Sequence, residues 1–193
     1  MRDIAIGTSV MRIHRGDITM LGRHVGAIVN ATNEEMRPTG GVSAAIHEFG
    51  GPEIAVECLW IGKLLVGRAA TTTAGRLLAE QVIHIVPPVW EGGGKDEDRK
   101  LAGAYRACLQ IAADNGLRSI AFPSLGGGLY GFPFDRAAAV AIGTAAAYLK
   151  QRSVVEEIIL VAHDDNDYQA YDVAADRWQR MQAARAAQAQ LAG

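Results

Sequence analysis

Short apolar runs alternate with amphipathic stretches along most of the chain. Runs rich in β-branched and aromatic residues, bounded by turn formers, predict strands at Ile28–Asn30, Ala69–Thr73, Gln81–Val86, Ser119–Phe122 and Glu156–Val161. The opening stretch, Ile4–Ile18, alternates apolar and polar residues around Gly7-Thr8-Ser9, which predicts a hairpin or a strand entering the sheet. Strands that alternate with helices in this way are typical of an α/β domain.

Helical spacing of apolar residues marks the segments between the strands. Val42, Ile46 and Phe49 fall on one helical face, and we expect that helix to begin near Ser43. A second helical pattern runs from Leu101 to Ala112 and stops at Asn115-Gly116. Later in the chain, Asp135 is predicted to cap a helix that continues through Lys150.

The C-terminal stretch changes character. The sequence is helical from Asp167 onward, and beyond Gln182 it becomes rich in Ala and Gln, with few large apolar residues to dock it. We therefore predict one domain over residues 1–180 and a helical tail over residues 181–193 that frays at its end.

Two glycine-rich turns are the most informative feature of the chain. Thr39-Gly40-Gly41-Val42 and Gly126–Gly131 each follow a strand-like run and precede a helical stretch. Glycine reaches positive φ without a steric penalty, so successive backbone amides at such turns can converge on an anion. The pair predicts a site that holds two phosphates from opposite sides.

Composition limits the function classes. The 193 residues and 49% hydrophobic content suit one compact domain. With 19 Lys+Arg against 21 Asp+Glu, the net charge of −2 provides no basic field to hold a nucleic acid by its backbone, and we expect no direct sequence-specific binding to nucleic acid.

Cysteine and histidine spacing gives no indication of a metal site. Cys58 and Cys108 form no Cys-x-x-Cys pair, and His14, His24, His47 and His84 show no ligand spacing, so we predict neither a metal nor a cofactor. No apolar run approaches the roughly 18 residues of a membrane span. We expect a cytoplasmic monomer without membrane contact, since the sequence shows neither a leader-like segment nor a heptad pattern.

The turn Gly126–Gly131 also spells G-x-G-x-x-G, so a nicotinamide-dinucleotide fold is the first rival. That fingerprint runs directly into a helix, whereas here Pro133 follows two residues later. No acidic residue ends a strand about 20 positions on, where Lys150 and Gln151 lie. A P-loop is excluded because Gly-Lys-Ser/Thr is missing.

Several segments, in order, resemble the macrodomain family. They are Gly16–Thr19, Ile28–Asn33 with Gly40-Gly41-Val42 and Ala45-Ile46-His47, Val82–Trp90, and Phe122–Ser124 through Tyr130–Pro133. The likeness spans nearly the whole chain, although Pro87 stands where the family usually has glycine. It implies a three-layer α/β/α sandwich around a mixed sheet of six or seven strands. It also implies a site for ADP-ribose, either free or attached to a protein, a nucleic acid or an acetyl group.

The resemblance assigns the adenosine end of that ligand to three residues. It implies that Asp17, with Ile18 beside it, accepts a hydrogen bond from the adenine amine, although the Gly-Asp pair alone also fits a turn or a cap. His163 stands where related domains often carry an aromatic residue that stacks on adenine. A surface histidine near a helix cap is the alternative for His163.

At the other end, Asn33 resembles the asparagine that holds the distal ribose, and we assign Asn30 a structural role. The resemblance further implies that both glycine turns wrap the diphosphate. It also implies that Leu129 and Tyr130, in the second turn, close over the distal ribose. For Tyr130, core packing is the alternative. The ligand-binding residues predicted in the two turns are Thr39, Gly40, Gly41, Val42, Ser43, Gly126, Gly127, Gly128, Leu129 and Tyr130.

Ser43 departs from the family, whose efficient hydrolases usually carry an aspartate after the valine. A serine hydroxyl cannot replace a carboxylate as a proton acceptor, so hydrolysis would depend on the substrate's own phosphate to activate water, with Asn33 orienting the ribose. Two hypotheses follow: a slow ADP-ribosyl hydrolase or O-acetyl-ADP-ribose deacetylase, or a reader that only binds. A module for RNA or polymeric ADP-ribose is weaker, because the charge is near neutral.

Overall fold

The computed structural model describes residues 1–151 and 153–191, and these form one seven-stranded sheet with helices on both faces. The strands are β1 (Arg2–Ile6), β2 (Ser9–Arg15), β3 (Val25–Ala31), β4 (Ala69–Thr73), β5 (Ala79–Ile85), β6 (Ser119–Pro123) and β7 (Glu157–Ala162). All five strands predicted between residues 28 and 161 are present, and β4 has the predicted bounds. The opening stretch forms the expected hairpin, with Ile6 opposite Ser9 across its turn.

The order of the strands is β1-β2-β7-β6-β3-β5-β4. The five inner strands from β2 to β5 are parallel to one another, whereas β1 and β4 close the two edges in antiparallel fashion. The parallel strands carry almost continuous buried apolar residues, as expected for a sheet covered on both faces. Their carboxyl ends consequently meet at one edge of the sheet, where open α/β sheets bind ligands.

Five helices cover the two faces and complete the predicted three-layer sandwich. They are α1 (Gly41–Gly50), α2 (Pro52–Ile61), α3 (Glu97–Asp114), α4 (Phe134–Leu149) and α5 (Asp165–Leu191). On one face, α1 and α2 bury Ile46 and Ile54 against the sheet. On the other, α3, α4 and α5 pack together over a core that includes Tyr105 and Phe122.

The helices differ from the sequence prediction in three places. Helix α1 begins at Gly41, two residues before Ser43, and α2 was not predicted. Asp135 does not cap α4: the capping position is Pro133, and Asp135 lies in the first turn, where its Oδ1 accepts from the backbone N–H of Arg136. The carboxylate still lies where it interacts favourably with the helix dipole.

Helix α5 runs without interruption through the predicted boundary at residue 180. Its side chains beyond Gln182 are exposed, and Gln182 itself accepts from Lys150 Nζ at 2.5 Å. Ala192 and Gly193, the last residues of the predicted tail, lie outside the described residues. The division into a domain and a fraying tail stays a prediction.

Candidate functional site

A cavity of about 450 Å³ lies at the carboxyl edge of the parallel strands. Its walls are the segments that follow β2, β7, β6 and β3, which are neighbours in that order in the sheet. Adjacent strands are separated by about 4.8 Å, so the four segments span about 14 Å along the edge. The cavity is thus an elongated cleft, and each strand contributes a different kind of residue to it.

The loop after β3 supplies backbone amides at one side of the cleft. Gly40 and Gly41 have φ of 111° and 55°, and a Cβ at either position would meet no atom within 4 Å. Within residues 1–151 and 153–191 no side chain caps the start of α1, and the first turn of this helix contains no acidic residue. The free N–H groups and the positive end of the helix dipole therefore face the cleft without a competing anion.

Asn33 holds that loop in shape. Its Oδ1 accepts from the backbone N–H of Arg37 at 3.0 Å, and its Nδ2 donates to Thr39 Oγ1 at 3.0 Å and to the Arg37 carbonyl at 3.3 Å. Both amide hydrogens of Asn33 are thus engaged. Its Oδ1 can still accept one further hydrogen bond through the second lone pair. Because Thr39 Oγ1 already accepts from Asn33, the Thr39 hydroxyl hydrogen is free to be donated elsewhere.

The segment after β6 forms the opposite wall, where Gly128–Tyr130 is a single turn of 3₁₀ helix. Tyr130 Oη donates to the carbonyl of Thr32 at 2.6 Å, which links this turn to the end of β3. Burial raises the pKa of Tyr130 above its ordinary value. The phenol therefore remains a neutral donor near neutral pH.

At the far end, the segments after β2 and β7 bring carboxylates together. Asp17 Oδ1 accepts from the N–H and the hydroxyl of Thr19, so it does cap a 3₁₀ turn while lining the cleft. Asp164 Oδ1 accepts from the N–H of Asp167, and Asp167 Oδ2 accepts from Ser124 Oγ at 2.8 Å. Burial raises the pKa of Asp167, although the Ser124 hydrogen bond acts in the opposite direction.

Ser43 is buried behind the α1 turn and adjoins a polar network within the fold. Asn30 Nδ2 lies 3.4 Å from Ser43 Oγ and 3.0 Å from His84 Nδ1. An amide nitrogen only donates, so His84 Nδ1 accepts and the proton is on Nε2, which donates to Thr72 Oγ1 at 2.9 Å. Asn30 therefore has the structural position expected from the sequence.

The spacing of histidines and cysteines along the sequence gave no indication of a cluster, but the fold brings three of them together beside this network. The ligand atoms of His47, Cys58 and His84 lie within 4.8 Å of one another. Burial lowers the pKa of His84 to about 3 and raises that of Cys58 to about 11, so the imidazole is neutral and the thiol protonated. Among the residues that the structure describes, neither ring nitrogen of His47 has a hydrogen-bond partner, and burial lowers the pKa of this histidine.

The comparisons with known proteins agree with this geometry. A family model described as the Macro domain matches residues 29–141. Over 161 residues the chain is 43% identical to a macro domain-containing protein of Mesorhizobium japonicum, covering 83% of this chain and 90% of that protein. The chain belongs to the macrodomain family.

Other relatives carry more specific descriptions. This macrodomain is 41% identical over 168 residues to the O-acetyl-ADP-ribose deacetylase of Salmonella typhimurium, covering 85% of this chain and 93% of that enzyme. The Oceanobacillus iheyensis macrodomain with ADP has a TM-score of 0.86 at 30% identity, with coverage of 93% of this chain and 97% of the other. The Trypanosoma brucei macrodomain in complex with ADP-ribose has a TM-score of 0.77 at 31% identity, with coverage of 83% of this chain and 67% of the other.

The cleft brings together nearly all the ligand-binding residues predicted for this macrodomain. Leu129 lines it with 83% of its surface exposed, and His163 is likewise exposed at its rim. Gly126 does not line it: this glycine is buried, and a Cβ there would lie 3.0 Å from Phe132. The predicted residues that line the cleft are Asp17, Ile18, Asn33, Thr39, Gly40, Gly41, Val42, Ser43, Gly127, Gly128, Leu129, Tyr130 and His163.

Sequence reasoning missed several lining residues, among them Ser124, Phe134, Asp164 and Asp167. One signal was available, because Asp164 and Asp167 have the spacing of a helix N-cap and its third residue, directly after a strand. The Ser124 contact joins segments 43 residues apart and has no local signature. Among the residues described, no helix is long and apolar enough to cross a membrane.

Proposed function

We propose that this macrodomain binds ADP-ribose with the diphosphate between the start of α1 and the turn at Gly127-Gly128. The observation that carries the proposal is the uncapped N-terminus of α1, with no acid in its first turn, facing a second glycine turn across the cleft. Backbone amides and a helix N-terminus are well suited to phosphate. No lysine or arginine lines the cleft in the part of the chain described, so the amides would hold the diphosphate.

The two ends of the cleft fit the two ends of that ligand. The acidic end offers acceptors to the adenine amine and the ribose hydroxyls, with Asp17 on the amine and His163 against the base. At the other end, the free lone pair of Asn33 Oδ1 can accept from a hydroxyl of the distal ribose. Tyr130 and Leu129 would cover that sugar. Structural neighbours described with ADP and with ADP-ribose support the choice of this ligand.

For the reaction, we propose slow hydrolysis of an ADP-ribose linkage. Asn33 orients the distal ribose, and a phosphate oxygen of the ligand takes a proton from water while the water oxygen bonds to the anomeric carbon. The bond from that carbon to the acceptor oxygen breaks, and the acceptor leaves as a carboxylate. With an O-acetyl substrate, water adds to the acetyl carbonyl and the phosphate oxygen takes a proton from that water. The bond from the carbonyl carbon to the ribose oxygen then breaks, the ribose oxygen takes up the proton as a hydroxyl, and acetate leaves with release of the second proton of the water. Relatives described as O-acetyl-ADP-ribose deacetylases favour this second substrate.

Ser43 limits the rate in this proposal, since a phosphate oxygen is a weaker base than a carboxylate. A reader that binds without turnover is the second candidate, and the specific observation in its favour is Ser43 itself, buried behind the α1 turn. We further propose a cytoplasmic monomer whose partners are ADP-ribose or an ADP-ribosylated protein or nucleic acid.

The experiment that separates hydrolase from reader is the time course of ADP-ribose release from an automodified target and of acetate release from O-acetyl-ADP-ribose. We expect slow release by the unaltered protein, loss in Asn33→Ala and a gain in Ser43→Asp. Ser43→Ala is the matched control and should not gain. Release no faster than the uncatalysed background with both substrates would remove the enzyme and leave the reader.

A further inference from the structure

Two helices, α1 and α5, begin at the cleft, and their N-termini differ in charge. The start of α1 is uncapped and free of acidic residues. The start of α5 is filled: Asp164 accepts from the N–H of Asp167, and the first turn contains Asp165 and Asp167. An uncapped helix N-terminus attracts phosphate, whereas one already occupied by carboxylates repels it.

The carboxylates at the α5 end are incompletely used by the protein. Asp17 and Asp164 are engaged through Oδ1, so each keeps an Oδ2 that accepts no hydrogen bond within the described chain, whereas the carboxylate of Asp167 accepts from Ser124 and from the backbone N–H of His163. Asp165 differs, because it is paired with Arg15 at 2.7 Å. Asp17 and Asp164 thus offer free acceptor oxygens, and the described residues that line the cleft include no lysine or arginine to neutralise the charge of the three carboxylates.

The strand order fixes where this charge lies relative to a bound diphosphate. The glycine turns follow β6 and β3, whereas Asp17 follows β2 and Asp164 follows β7. The two glycine turns, at Gly40-Gly41 and Gly127-Gly128, form the phosphate cradle of the proposed complex. The carboxylates therefore lie to one side of this cradle, next to the nucleoside that extends toward β2. Neutral hydroxyls and an amine can donate to them, but a further phosphate on that sugar would meet like charge.

We propose that Asp164 and Asp167 determine substrate specificity by rejecting ADP-ribose that carries a phosphate on its adenosine ribose. The inference rests on the proposed function and deepens it. The substrate class is ADP-ribose with free hydroxyls on that sugar, as derived from NAD, and 2′-phospho-ADP-ribose, as derived from NADP, is excluded. The carboxylates act by repulsion, and because Asp164 is exposed the repulsion weakens as salt increases.

The test is calorimetric titration of the intact chain with ADP-ribose and with 2′-phospho-ADP-ribose at low and high salt. We expect the phosphorylated ligand to bind at least tenfold more weakly at low salt, and the ratio of the two Kd values to shrink as salt is added. Equal affinity at low salt, with ADP-ribose bound, would overturn this inference and leave the proposed function standing. Binding of neither ligand would overturn both.

Charge-only variants identify the residues. Asp164→Asn keeps a helix-capping side chain, and Asp167→Asn keeps an acceptor for Ser124, so each removes one charge with little change in shape. We expect each to lower the ratio of Kd values severalfold. Asp114→Asn at the end of α3 is the control, since it changes net charge equally but lies away from the cleft. An equal fall in the control would overturn the local assignment, and the salt dependence of the unaltered protein tests the proposal even if a variant misfolds.

Discussion

Tyr130 Oη donates to the carbonyl of Thr32 at 2.6 Å and joins two walls of the cleft across 98 residues of sequence. The carbonyl belongs to the residue just after β3, and the tyrosine ends the turn that follows β6. A contact between the ends of adjacent strands fixes the distance between the glycine turns on either side. The phosphate cradle therefore exists before a ligand arrives, which reduces the cost of ordering it on binding.

Tyr130→Phe removes this hydrogen bond while keeping the ring. A typical hydrogen bond contributes about 0.5–1.5 kcal/mol, so we expect the Kd for ADP-ribose to rise about two- to tenfold. Titration calorimetry measures it. Tyr148→Phe is a control, because the Tyr148 hydroxyl also donates to a backbone carbonyl, that of Leu109, but does not line the cleft. Unchanged affinity in Tyr130→Phe would contradict a role for the contact.

Thr39 opens the glycine turn that leads into α1, and its hydroxyl hydrogen is left free because Oγ1 accepts from Asn33. We predict that this hydrogen is donated to the ligand, so Thr39→Val, which keeps the shape, should weaken ADP-ribose binding about three- to tenfold. Thr39→Ser retains the hydroxyl and should bind nearly as well. Equal Kd values for the valine and serine variants would show that the hydroxyl makes no contribution.

Gly41 at the start of α1 has φ of 55° and open space where a Cβ would lie. Gly41→Ala should cost about 1–2 kcal/mol of unfolding free energy and place a methyl group in the cleft. The matched control is Gly116→Ala, with φ of 72° and equally open surroundings outside the cleft. We expect similar losses on urea unfolding for both, but weakened ADP-ribose binding for Gly41→Ala alone. The idea fails if the two variants bind alike.

The pKa of His84, lowered by burial to about 3, makes stability depend on pH. In the unfolded chain the imidazole of His84 binds a proton near pH 6.5, whereas in the native state it does so only near pH 3. The free energy of unfolding should therefore fall by about 1.4 kcal/mol per pH unit from this group as pH drops from 6.5 toward 3. The measurement is urea unfolding between pH 7 and 5, compared with His84→Gln. Parallel pH profiles for the two proteins would contradict the assignment.

The fold was predictable wherever local pattern and burial agree. Strand β4 has its predicted bounds, and the glycine turns lie at the ends of β3 and β6 as expected. Helix α2 was missed because its apolar residues do not keep to one face: Ile54 and Cys58 are buried, while Leu59 and Trp60 are 77% and 80% exposed. A segment that is apolar on both sides gives no clear helical period.

Parts of the site that depend on distant contacts could not be predicted. The hydrogen bond between Ser124 and Asp167 depends on β6 and β7 being neighbours in the sheet. Periodicity shows where a strand lies but not which strand lies beside it.

The central claim is that paired amide turns hold the diphosphate of ADP-ribose while the two ends of the cleft hold its two sugars. Titration calorimetry of the intact protein with ADP-ribose, AMP and NAD tests it most directly. We predict one site per chain, with ADP-ribose bound more tightly than either AMP, which lacks the distal ribose, or NAD, whose nicotinamide crowds it. No binding of ADP-ribose, or AMP bound equally well, would contradict the account.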